Sequence, residues 1–123
     1  MEDDDEIDVI YHGTTRGAAD HIVATKRFGE RETFFASDAP LAWHFARRTC
    51  AKGTGGTPAL VRVPLYRSDL AAWRLGRLLV RKGFDEGDAP ELRGRIQLLL
   101  SSGAMKHLNR LSFSDEWTVR AAP

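Results

Sequence analysis

The sequence predicts an α+β domain, and three observations carry that expectation. Short runs such as "IDVIYH" and "PALVRVPLYR" read as strands, by alternation in the first and near-continuous apolar character in the second. Between them lie stretches with apolar residues three and four apart, the period of an amphipathic helix. The strand-to-helix turns carry no G-x-G-x-x-G, and no GK[ST] occurs anywhere, which removes a dinucleotide-binding doubly wound sheet and a P-loop.

Taken in order, residues 1–8 form an acidic leader: "EDDDEID" puts six acidic residues into the first eight positions, and the leader is expected to be disordered. Residues 9–123 form one domain. "IDVIYH" places Ile7, Val9 and Tyr11 on one side of a strand and Ile10 and His12 on the other. Gly13 makes the turn, Thr14 or Thr15 caps the helix in "RGAADHIVATK", and "ETFFAS" is a second strand. "SDAPLAWHFARRTC" opens like a helix, with Ser37 or Asp38 as cap and Pro40 in the first turn. Ala42, Phe45, Ala46 and Thr49 share one of its faces. "KGTGGT" is a flexible loop, and "PALVRVPLYR" is a strand that Pro64 places near an edge or bulge. Residues 68–83 and 88–103 read as two amphipathic helices, each closed by glycine, and "RLSFSDEWTVR" ends the chain as a strand.

The 123 residues suffice for a single core. Nothing approaches a membrane span, and an acidic start is the reverse of a signal peptide's basic region. The one cysteine, Cys50, excludes an internal disulfide. Together these features lead us to expect a cytoplasmic protein. Beyond the leader, 18 basic residues face 11 acidic ones. That surplus suits an anionic ligand.

The chain lacks H-E-x-x-H, C-x-x-C and carboxylates at ligand spacing, so no metal is expected. It also lacks G-x-S-x-G, and His21, His44 and His107 read as surface or boundary residues. Three pieces remain: "YHGTT", "TFFASDAPLAWHFA" and "SDEWTV", the last with Glu116 in a strand beside Trp117 and Val119. A carboxylate among apolar strand residues is costly unless it is paired or has a task.

In combination these pieces resemble the ADP-ribosyltransferase superfamily, in its histidine–tyrosine–glutamate branch of diphtheria toxin and the poly(ADP-ribose) polymerases. "HGTT", "FFASD", "AWHFA" and "EWTV" occur in the family's order, and "ALVRVPLYRSDL" is similar to its central strand. The likeness covers most of residues 9–70 and 112–120; residues 71–111 match nothing. It implies a compact fold with short strands in a split sheet flanked by helices.

It also implies NAD+ as substrate and no metal. By this resemblance His12 bonds a ribose hydroxyl or the adenosine side of NAD+, and the Gly13 backbone pairs with the nicotinamide carboxamide. Thr14 completes the motif, Phe34 and Phe45 stack on the nicotinamide, and Glu116 stabilises the cation formed as the glycosidic bond breaks. Three positions depart from the family pattern. Phe34 replaces a tyrosine, Ala42 stands where many members have serine, and Ser114 removes the E-x-E doublet of arginine-modifying relatives. The activity implied is mono-ADP-ribosylation by a toxin or effector with a cognate inhibitor protein, its acceptor a protein, nucleic acid or small molecule. The alternatives are an NAD+ glycohydrolase toxin, an antibiotic-modifying transferase, and a non-catalytic nucleic-acid binder using Arg74, Arg77, Arg81 and Lys82.

Overall fold

A computed structural model describes residues 6–53 and 56–122. Among the described residues the chain runs β1 (Ile7–Thr15), α1 (Arg16–Thr25), β2 (Thr33–Ala36), α2 (Ala39–Lys52), β3 (Pro58–Tyr66), α3 (Arg67–Leu75), β4 (Leu79–Gly83), β5 (Ile96–Leu100), α4 (Ser102–Leu108) and β6 (Thr118–Ala121). Two 3-10 turns, Pro90–Leu92 and Ser112–Glu116, precede β5 and β6. The six strands form one open antiparallel sheet in the order β4-β5-β2-β1-β3-β6.

The expected α+β class holds, as do the first helices and their caps. Thr15 caps α1, its hydroxyl accepting from the Ala18 N–H at 3.2 Å. Asp38 caps α2, accepting from the Leu41 N–H at 3.0 Å, with Pro40 in the first turn. Pro64 lies where β3 has lost its outer neighbour, because β6 pairs only with Ala59–Arg62.

Four element expectations fail. Gly13 makes no turn, because β1 runs on through Thr15 and pairs Gly13 with Leu60. Residues 68–83 are not one helix: α3 stops at Leu75, Gly76 caps it, and Arg77 turns the chain with φ 63°. Residues 79–83 become the edge strand β4. Residues 88–103 are not a helix either, but a 3-10 turn followed by β5 and the first residues of α4. Leu92, Ile96, Leu99 and Leu100 fit a helical stripe, but β5 instead pairs with β2 and β4 and buries Leu98 and Leu100. Strand pairing with distant partners overrode the local period. Finally, Glu116 is not in a strand but ends the 3-10 turn before Trp117.

The leader is shorter than expected. Residues 1–5 lie outside the described residues, but Glu6 already accepts from the Arg67 N–H at 2.8 Å and β1 begins at Ile7. "KGTGGT" falls partly outside them as well.

The sheet divides unequally along β1. Toward β3 the ladder is complete, from Ile7↔Tyr66 to Thr15↔Pro58. Toward β2 it consists of the single pair Tyr11↔Ala36. The strands β4-β5-β2 and β1-β3-β6 are thus two half-sheets joined at one point. One face buries Ile10, Phe35, Val61, Val63 and Leu100 with Ala19 of α1, Trp73 of α3 and Met105 of α4. The other buries Ala36 and Leu60 beneath Leu41, Ala42 and Ala46 of α2.

Candidate active site

Residues from both half-sheets line a cavity of about 890 Å³. Its lining brings together His12 and Gly13 of β1, Phe34 of β2 and Phe45 of α2. Their positions follow from strand alternation and helix period. His12 shares the Ile10 face of β1, and its ring packs edge-on to Phe28 at 5.6 Å and against Phe35 at 5.5 Å. Phe45, Arg48, Thr49 and Lys52 form one stripe of α2 that turns to the cavity.

His12 Nδ1 lies 3.0 Å from the Phe34 carbonyl oxygen. A carbonyl can only accept, so Nδ1 carries the hydrogen and donates it, which leaves Nε2 as an acceptor. Burial lowers the His12 pKa below 6.5, opposed by the bond to Phe34. The ring is therefore neutral at pH 7.

Gly13 has a structural reason of its own. A Cβ there would lie 2.1 Å from the Ala42 carbonyl oxygen and 2.8 Å from the Ala46 nitrogen, so this glycine lets α2 lie directly on β1. Phe34 is 52% exposed and faces Phe45 with ring centroids 6.4 Å apart at 54°. At 54° the two rings are not parallel walls, so a flat ring would enter between them only if one of them turned.

Two expected residues lie outside the lining. Thr14 is buried among the strands. Glu116 is exposed and has no partner among the described residues. Its link to the cavity runs through its neighbour Trp117, which packs at 5.0 Å on Phe28, itself part of the wall.

The segment that carries Phe28 escaped sequence reasoning. The Phe28 N–H donates to Asn109 Oδ1 and the Phe28 carbonyl accepts from Asn109 Nδ2, both at 2.9 Å. Lys26 pairs with Asp115 within the turn that ends in Glu116. No local pattern in "KRFGERE" signals these long-range anchors. Of the α2 stripe, Phe45 and Thr49 belong to the expected helical face, whereas Arg48 and Lys52, three and seven residues after Phe45, fall outside that expectation.

Half of the charges around the cavity are paired: Arg48 with Glu86, Glu30 with Arg27 at 2.7 Å, and Asp85 with Arg93 at 3.5 Å. Among the described residues, Arg31, Lys52, Lys82 and Glu32 line it without an ion pair. Three cations against one anion favour an anionic guest.

The basic helical face expected of a nucleic-acid binder does not form. Arg74 lies on α3, Arg77 in the turn, and Arg81 and Lys82 alternate along β4, while Trp73 is only 6% exposed and unavailable for stacking. No helix among the described residues is long and apolar enough to cross a membrane. Compared with protein-family models, curated proteins and solved structures, the chain matches none.

Proposed function

We propose that this chain is an NAD+-consuming mono-ADP-ribosyltransferase, of the toxin or effector kind and working in a cytoplasm. One observation carries the reading. His12, Gly13, Phe34 and Phe45, distant in sequence, line one cavity of a size that holds a dinucleotide-scale ligand. The unpaired cations on its walls suit the diphosphate.

Neutral His12, fixed through Nδ1–H to the Phe34 carbonyl, offers Nε2 to a ribose hydroxyl. Phe34 and Phe45 stack on the nicotinamide. Cleavage of the nicotinamide–ribose bond sends its electron pair to the nicotinamide nitrogen and leaves an oxocarbenium-like ribose. Glu116, an exposed carboxylate without a partner, is the group that would stabilise that cation electrostatically. The acceptor nucleophile then bonds to the ribose carbon and gives its proton to solvent. The chemistry requires no metal.

The test is nicotinamide release from NAD+ by wild-type protein and Glu116→Gln, with adenine-labelled NAD+ and cell lysate. Release abolished by the variant, with label passing to a macromolecule, supports the transferase. Label passing to an added aminoglycoside or other small nucleophile identifies a small-molecule acceptor, and free ADP-ribose means a glycohydrolase. Absence of both release and NAD+ binding refutes the reading. Glu116 is exposed, so a folding defect in Glu116→Gln is not expected.

A further inference from the structure

Beside the cavity, α2 carries a second titratable ring that the proposed reaction does not use. The His44 side chain is 12% exposed, and its Nε2 is closed off from solvent and has no hydrogen-bond partner. The ring is held edge-on to Phe84 at 5.3 Å and packs against Phe45 at 6.2 Å. Asp88 Oδ2 lies 3.6 Å from Nε2, beyond hydrogen-bonding distance. Glu86 supplies a third donor, and the three donor atoms lie within 4.8 Å of one another. A buried nitrogen without a partner, aimed at two carboxylates, calls for an occupant.

We propose that His44, Glu86 and Asp88 bind a divalent transition-metal ion, with zinc the best fit. One imidazole nitrogen and two carboxylate oxygens are ordinary zinc donors, and two negative charges balance the ion. Zinc holds such donors at roughly 2.0–2.2 Å, so the two carboxylates would draw in toward the imidazole on binding, and three protein donors leave a fourth position open. Buried Phe84 and Ala89 bracket the loop on either side of Glu86 and Asp88. Arg48 holds one oxygen of Glu86, which leaves the other for the ion and orients it. Magnesium and calcium prefer all-oxygen sites, so the imidazole selects against them. The ion would clamp the loop that carries the cavity's Asp85 and Glu86 onto α2, away from the reacting bond.

The test is equilibrium dialysis of the full chain, stripped of metal, against zinc and separately against magnesium, with melting curves in parallel. The expected result is one zinc per chain, a raised melting temperature and no magnesium uptake. Affinity should fall at least tenfold in His44→Gln, Glu86→Gln and Asp88→Asn, and stay unchanged in His21→Gln and His107→Gln. No zinc uptake by the wild type overturns the proposal. Uptake that survives Asp88→Asn or Glu86→Gln also overturns it, and these exposed loop variants decide the matter if His44→Gln does not fold. NAD+ takes no part, so this site and the proposed reaction stand or fall separately.

Discussion

Gly13→Ala tests whether helix–sheet contact, rather than ligand approach alone, dictates glycine at this position. The added Cβ would sit 2.1 Å from one backbone atom of α2 and 2.8 Å from another, against a practical minimum of 3.0 Å. No side chain can swing aside, because both atoms are backbone. Relief requires α2 to retreat by about 1 Å along its contact with β1. A gap of that size forfeits a quarter to a half of the dispersion energy at the contact and loosens Leu41, Ala42 and Ala46. Overpacking of this kind costs roughly 2–3 kcal/mol. For a domain of this length that is a fall of roughly 8–15 °C in melting temperature.

The assay is urea and thermal unfolding followed by circular dichroism, with Gly17→Ala as the matched control. Gly17 lies in the first turn of α1 with nothing within 4 Å of its added Cβ, so this variant should gain about 0.5–1 kcal/mol. Gly13→Ala as stable as wild type would refute the packing argument.

Asn109→Ala removes both bonds to the Phe28 backbone and should cost roughly 2 kcal/mol, read by denaturation and by faster exchange of the Phe28 amide. His12 makes stability pH-dependent. Its folded pKa lies below 6.5, so the unfolded chain binds the proton first as pH falls. Its contribution is complete above pH 6.5 and declines below it, by no more than about 1.4 kcal/mol per pH unit, and His12→Asn should flatten that slope. Phe34→Ala truncates a half-exposed ring: stability should fall by about 1 kcal/mol, while NAD+ affinity by calorimetry falls about tenfold through lost stacking.

What the sequence conveyed depended on the range of the forces involved. Thr15, Asp38 and Pro40 act on their own backbones within three residues, so the starts of α1 and α2 were readable. Phe45 and Thr49 were readable from the helix period. Residues 71–111 were not. Their leucines satisfy both periods, and the choice fell to pairing with β2, a strand more than sixty residues upstream of β5. The site divides similarly. His12, Gly13, Phe34 and Phe45 sit in locally recognisable strands and a helix, whereas Phe28 is positioned by Asn109 and His44 faces a loop forty residues away. Neither partnership leaves a trace in composition or spacing.

The single bridge between β1 and β2 gives His12 a fastening duty as well as a binding one. Phe34's carbonyl, facing a strand that supplies no ladder partner there, takes its hydrogen from an imidazole. The seam of the sheet is therefore stitched by a side chain whose other nitrogen is offered to the cavity. A guest that donates to Nε2 strengthens the Nδ1–H bond across the ring, because hydrogen bonds in series polarise one another. The same ring thus borders the cavity and holds Phe34 of β2 to β1.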